Sequence, residues 1–133
     1  MMLESLLTPE SIEQNWQKGY EVSLEYREEG ISNQWRVDRL FEQIMQDLSQ
    51  GIAKEDIACR FHIGLARGLV RAVQKVSQEK ACYQVFLSGG VWQNLWLVAL
   101  FKEILPEHIQ VFTHQRLPAN DANIAIGQLA VIT

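Results

Sequence analysis

Two loops of this chain combine residue types that could hold an anionic ligand. The first, Leu87-Ser88-Gly89-Gly90-Val91, joins a short apolar run to a helical pattern. Glycines let backbone N–H groups approach a ligand closely, and a helix N-terminus adds partial positive charge. The loop therefore predicts a phosphate cradle at Ser88, Gly89 and Gly90, although a glycine pair between strand and helix is more often only a tight turn.

The second loop, Pro118-Ala119-Asn120-Asp121, also lies between a predicted strand and a predicted helix. Ligands of open α/β sheets bind where the strands end, so we expect both loops at the same edge. Asp121 could bind a metal, accept a hydroxyl proton or cap the final helix. For an isolated aspartate, the cap is the favoured interpretation.

The histidines and cysteines carry weaker signals. His62, His108 and His114 have no i, i+4 partner and no cysteine at a metal-ligand spacing. His62 is predicted to be a packing or surface residue of a long helix. Cys59 and Cys82 have no evident base or resolving partner, which favours a structural role for both.

Composition excludes several classes of function. The chain has 133 residues, 47% of them hydrophobic, and a formal net charge of −4. This charge argues against a nucleic-acid partner, and the apolar runs are too short for a membrane helix. The N-terminus has no signal-peptide pattern, so we expect a cytoplasmic protein with reduced thiols. Residues 1–60 hold 12 acidic and 6 basic side chains and residues 61–133 hold 4 and 6, which favours the second half for an anion site.

The periodicity of apolar residues predicts the elements that must position these loops. We expect a short helix over 9–18, a hairpin over 20–37, and amphipathic helices over 37–48 and 54–79. Strands over 83–87 and 109–113, with helices over 91–105 and 121–132, complete the pattern. This order predicts an α/β layer with at least two parallel strands. We predict a single domain over 1–133, with an N-terminal helix and hairpin region at 1–38 and an α/β core at 39–133.

Two glycines, Gly64 and Gly68, interrupt the long helix. Each costs roughly 1 kcal/mol relative to alanine inside a helix. We therefore expect another backbone to approach the helix closely at this place, and we interpret the pair as a packing feature of a soluble chain.

Taken together, the motifs of residues 83–128 resemble a known family. They are Val85-Phe86-Leu87-Ser88-Gly89-Gly90-Val91-Trp92-Gln93-Asn94, Val111-Phe112-Thr113-His114-Gln115, Leu117-Pro118-Ala119-Asn120-Asp121 and Ile124-Ala125-Ile126-Gly127-Gln128. In this order they resemble the C-terminal end of the HypF hydrogenase maturation carbamoyltransferases. The segment Ile57-Ala58-Cys59-Arg60-Phe61-His62 resembles that family's long helix.

The resemblance implies half of an actin-like ATPase (ribonuclease H-like) domain: an α/β fold with a short mixed sheet flanked by helices. The family uses ATP and carbamoyl phosphate to form carbamoyl adenylate. It then passes the carbamoyl group to a cysteine thiol of HypE, for the cyanide ligand of [NiFe] hydrogenase. By this resemblance Ser88, Gly89, Gly90 and Asn94 would line the nucleotide cleft, and Asp121 would bind a divalent metal.

The chain also departs from the family pattern. The half of the domain that brings the paired metal histidines is not in this sequence, and Ala122 and Asn123 stand where the family usually has glycines. Three interpretations stay open: half of a split transferase, a binding or regulatory module without chemistry, and a fragment without activity of its own. Partners would be a HypE-like protein or a complementary N-terminal half. Uncovered apolar surface predicts a homo-oligomer, through the 91–104 helix or the final helix.

Overall fold

A computed structural model describes residues 3–25 and 34–113, and the helices and strands follow one another in the predicted order. The helices are α1 (Pro9–Asn15), α2 (Asp38–Ser49), α3 (Lys54–Lys80) and α4 (Leu95–Ile104), and the strands are β1 (Ser23–Glu25), β2 (Gln34–Arg36), β3 (Gln84–Leu87) and β4 (Gln110–Thr113). Short 3₁₀ helices cover Leu3–Leu6, Trp16–Lys18 and Gly90–Gln93. The predicted helix over 121–132, together with His114 and Asp121, lies outside the described residues.

Four strands form two small sheets in this part of the chain. β1 and β2 pair antiparallel, which confirms the predicted hairpin. β3 and β4 pair in parallel, from Gln84 opposite Gln110 to Leu87 opposite Thr113, with α4 in the connection. The predicted α/β class is therefore confirmed, and its mixed pairing is divided between an antiparallel and a parallel ribbon.

The core forms where α3 packs against α4 and the parallel sheet. Ile63 and Ala66 of α3 lie against Leu97 and Leu100 of α4. A second cluster joins α3, β3 and α4, and continues past α4 to the start of β4; its buried members are Val70, Leu87, Phe101, Leu105 and Ile109. These two clusters hold the end of β3 beside the middle of α3, where the glycine loop begins.

The glycines of α3 let an extended segment cross the helix. A Cβ on Gly64 would overlap the carbonyl oxygen of Tyr20, and one on Gly68 would lie 2.9 Å from that of Val22. The Tyr20 N–H donates a hydrogen bond of 3.0 Å to the Arg60 carbonyl. The predicted close backbone approach is thus confirmed, and it attaches residues 20–22 to the core.

A network of buried and partly buried polar side chains joins the first three helices. Arg60 of α3 donates to Asn15 of α1 over 3.0 Å and to Asp47 of α2 over 2.6 Å. The Tyr20 hydroxyl donates to the same Asp47 carboxylate over 2.7 Å, and Asn15 donates to Asp56 over 2.8 Å. Each of these buried groups therefore has a partner, as buried polar atoms require.

Only part of the apolar face of α2 is buried. Leu40 is buried against Tyr20 and Val22. The other side of the apolar arc points outward: Val37, Phe41, Met45 and Leu48 are between 51 and 63% exposed. The amphipathic pattern predicted the helix correctly, but it did not predict that half of the apolar arc is uncovered in the described chain.

The helix after the glycine loop begins later than predicted. The pattern predicted a helix from Val91, but residues 90–93 form a 3₁₀ turn and α4 starts at Leu95. Asn94 has an extended backbone, and its side chain accepts a hydrogen bond from the Leu97 N–H, so it is the N-cap. The pattern places Trp92 and Trp96 one turn apart on a single helix, but Trp92 lies in the 3₁₀ turn and Trp96 in α4. Of the helices described, none is long and apolar enough to cross a bilayer.

Candidate functional site

A cavity of about 540 Å³ opens beside the glycine loop. Three parts of the chain supply its walls: Leu3 and Glu4 of the N-terminal 3₁₀ helix, Phe61 and His62 of α3, and Gly90, Val91, Gln93 and Asn94 after β3. Its volume is in the range of small-molecule sites. The predicted residues Gly90 and Asn94 thus line it, whereas Ser88 and Gly89 lie next to it in the loop.

The glycine turn leaves its backbone open. Gly89 has a φ of +104°, in a region that residues with a Cβ rarely adopt. A Cβ at Gly89 or at Gly90 would meet no atom of residues 3–25 and 34–113 within 4 Å. Within this part of the chain the space over both residues is therefore open to a ligand.

The anion cradle predicted from the sequence changes in one respect. It relied on a helix N-terminus directly after the glycines, but α4 starts only at Leu95. Asn94 already occupies the Leu97 N–H. The partial charge of the helix end falls off within its first turn, so the loop backbone itself must supply most of the contacts to an anion.

His62 is the functional candidate that sequence reasoning missed. Its ring is 2% exposed, and Nδ1 lies 2.8 Å from the Ala58 carbonyl oxygen. Nε2 lies 2.7 Å from Nδ2 of Asn94. The two residues are 32 positions apart, so no local spacing pairs them; the signal was the resemblance of the segment that ends at Phe61-His62.

The electrostatics of the cavity favour a neutral imidazole. Burial is the main cause that lowers the pKa of His62, while the hydrogen bond to Ala58 and the charge of Glu4 act in the opposite direction. Glu4 is the one charged side chain among the described residues of the cavity wall. No lysine or arginine is among the described residues of this wall. An anion site in the second half, as the sequence predicts, would therefore depend on the loop backbone.

The described residues do not fit a metal site. Within residues 3–25 and 34–113 no three His, Cys, Asp or Glu side chains lie close enough to share an ion. Asp121, the residue predicted to bind one, is outside these ranges. Cys59 is buried, and burial raises the pKa of its thiol, which agrees with a structural role.

Two sequence comparisons relate this chain to carbamoyltransferases. Residues 1–128 match the family described as "Carbamoyltransferase, Kae1-like Domain, second subdomain". The carbamoyltransferase HypF of Rhodobacter capsulatus is 28% identical over 88 residues, which are 66% of this chain and 12% of that protein.

A solved structure shows the same fold. It is a crystal structure of full-length HypF in a phosphate- and nucleotide-bound form, with a TM-score of 0.83 and 24% identity. The match covers 98% of this chain and 16% of the solved one, so the chain spans a small part of both relatives. The predicted half of an actin-like domain is thereby confirmed, and the chain belongs to the family of carbamoyltransferase Kae1-like domains, as their second subdomain.

Proposed function

We propose that this chain forms one wall of the nucleotide cleft of a HypF-type carbamoyltransferase. The observation that carries the proposal is the cavity beside an open Gly89-Gly90 turn, at the end of a parallel strand. Ligand sites of α/β sheets occur at such edges. The ligand proposed for it is ATP or carbamoyl adenylate.

The residues of this wall are suited to binding and orientation. The backbone of Gly89 and Gly90 would approach the phosphate, while Leu3, Phe61 and Val91 offer apolar surface to a base. The described wall holds no serine, cysteine or lysine that could attack a carbonyl carbon. Its contribution to catalysis would therefore be positioning, which can supply much of a rate enhancement.

The transfer itself requires other partners. In the proposed reaction the cysteine thiolate of a HypE-like protein attacks the carbamoyl carbon of the adenylate. The new C–S bond forms, the C–O bond to the phosphate breaks, and AMP leaves. A complementary N-terminal half would close the cleft, and a divalent metal held partly by Asp121 belongs to the same proposal.

Calorimetric titration of the purified chain with ATP, with and without Mg²⁺, tests the proposal. We expect saturable binding that Gly90→Val removes, because its side chain would fill open space without a strained φ. Ala99→Val places a valine on an exposed turn of α4 and should bind like the parent chain. No heat of binding at millimolar ATP, or equal binding by Gly90→Val, would contradict the proposal.

An interaction module is the second candidate function. An exposed apolar stripe along α2 and its N-cap favours it; the stripe consists of Val37, Phe41, Met45 and Leu48. Apolar stripes of this kind are typical of surfaces that bind another protein. Under this alternative the chain would recruit a partner, and the glycine loop would be inherited without ligand binding.

A further inference from the structure

We propose that neutral His62 is a positioning residue that sets the junction between the glycine turn and α4 through Asn94, and that protonation of His62 releases this junction. The proposal rests on the proposed function, because the junction forms part of the same cavity wall. Its central claim concerns the ligand-free chain and is tested there.

Three hydrogen bonds form a relay from Ala58 through His62 and Asn94 to Leu97. The direction of each one follows from the two ends of the relay. The Ala58 carbonyl can only accept, so Nδ1 of His62 must carry the proton that it donates over 2.8 Å. The Leu97 N–H can only donate, so Oδ1 of Asn94 must face it at 3.0 Å. Nδ2 of Asn94 therefore donates to the lone pair on Nε2 of His62 over 2.7 Å.

A second proton on His62 cannot be accommodated by this relay. It would place an N–H on Nε2 directly against the amide N–H of Asn94, so that two donors face each other. Rotating the Asn94 amide would turn its oxygen to His62 but would leave Nδ2 against the Leu97 N–H. Either outcome breaks one bond of the relay or the N-cap of α4.

The surroundings of His62 determine the pH at which its imidazole takes up the second proton. From the N-terminal 3₁₀ helix Glu4 faces the cavity and favours the charged imidazole. From the opposite wall the N-terminus of α4 disfavours the charged imidazole, since this helix end carries partial positive charge. On α3 itself Ala58 is one turn before His62, and its carbonyl accepts from Nδ1. Burial outweighs the carboxylate, so the neutral form persists below the ordinary pKa of histidine.

Asn94 transmits the state of His62 to the cavity. It ends the 3₁₀ turn that begins at Gly90, and it caps α4. Releasing its side chain would loosen the backbone on both sides of that joint. We therefore expect nucleotide affinity to fall as the pH drops through the pKa of His62, by roughly 3- to 10-fold, the range of one hydrogen bond.

The first test is ¹⁵N NMR of the ligand-free chain, read at the imidazole of His62. We expect the Nδ1–H tautomer at pH 7.5, and on acidification a simultaneous shift of the His62, Asn94 side-chain and Leu97 N–H signals. Asn94→Asp keeps an oxygen for the cap and places a second one against Nε2, so it should raise the pKa of His62. An Nε2–H tautomer, or a titration of His62 without a response at Leu97, would overturn the proposal.

The second test separates positioning from packing. Gln can accept a hydrogen bond from the Asn94 amide through its own carbonyl oxygen but does not titrate. His62→Gln should therefore bind ATP without the loss of affinity that the parent chain shows as the pH falls through the pKa of His62. His62→Leu should lose at least 3-fold in affinity at pH 7.5, while retaining a folded circular dichroism spectrum. Equal affinity and equal pH profiles for Gln, Leu and the parent chain would overturn the proposal. If no variant and no parent binds ATP, the proposed function fails, and the NMR experiment still decides the relay.

Discussion

At the scale of single residues, glycine serves two different purposes in this chain. Gly64 is needed for what lies next to it, because the Tyr20 carbonyl oxygen occupies the place of its Cβ. Gly89 is needed for its own backbone, which has a φ of +104° in open space. The first glycine therefore serves the packing of the fold, while the second permits the turn beside the cavity.

This difference predicts a graded series of alanine variants. Gly64→Ala should lower the free energy of unfolding by about 3 kcal/mol, since the clash is with backbone that cannot rotate away. Gly68→Ala should lower the free energy of unfolding less, by about 1–2 kcal/mol, because its Cβ would lie 2.9 Å from the Val22 carbonyl oxygen. Gly90→Ala is the control and should change stability little. Urea unfolding of the four proteins measures this order, and a stable Gly64→Ala would contradict the crossing of residues 20–22.

At the scale of the elements, a charged pair in a nearly buried place connects three helices. The side chains of Arg60 and Asp47 are 12 and 14% exposed, and each has a further partner in Asn15 or Tyr20. A buried ion pair adds little net stability, but removing one member leaves the other charge without compensation. The network thus fixes how α1 and α2 lie on α3.

We expect Asp47→Asn and Arg60→Gln each to cost about 3 kcal/mol in the free energy of unfolding. The double variant should cost less than both together by about 1–3 kcal/mol, because the second change removes the charge that the first one stranded. Chemical denaturation of the three variants gives this coupling energy. As a control, Arg39→Gln breaks an exposed pair with Glu21 and should have an effect below about 1 kcal/mol. Full additivity would show that the pair does not interact.

At the scale of the whole molecule, the exposed apolar face of α2 is a candidate surface for association. Its four exposed apolar side chains form one stripe, beside the part of the helix that Leu40 buries. The homo-oligomer expected from the sequence was assigned to the 91–104 helix or the final helix. α4 also exposes Leu95, at 79%, so α2 and α4 are competing surfaces for association.

Sedimentation velocity over a range of concentrations distinguishes these surfaces. We expect the chain to associate, and we expect Phe41→Glu with Met45→Glu to make it monomeric, because a charge in an apolar interface is costly. Leu95→Glu should leave association unchanged. Both variants replace exposed side chains, so their folds should persist by circular dichroism. A parent chain that is monomeric at every concentration would contradict the expected oligomer, and dissociation by Leu95→Glu would assign it to α4.

The elements of this fold could be predicted because their signals are local. α1 begins at Pro9, where the sequence predicts a helix to begin, and the hydroxyl of the N-cap Thr8 accepts a hydrogen bond from the Ser11 N–H. The apolar period located α3 within one residue at its end. The predicted start of α4 was wrong, because an asparagine in the middle of a helical pattern can also be an N-cap. Asn94 is the N-cap here, and its side chain contacts His62, 32 residues away.

Residue types and their order by themselves determined the α/β class, the glycine loop at the end of a strand and the resemblance to HypF, since these depend on neighbours along the chain. Only the tertiary structure decided that His62 faces Asn94 and that Tyr20 crosses Gly64. It also decided which half of the α2 arc is buried. A hydrogen-bond partner or a covering surface is a property of distant segments meeting in space, and no spacing along one segment encodes it.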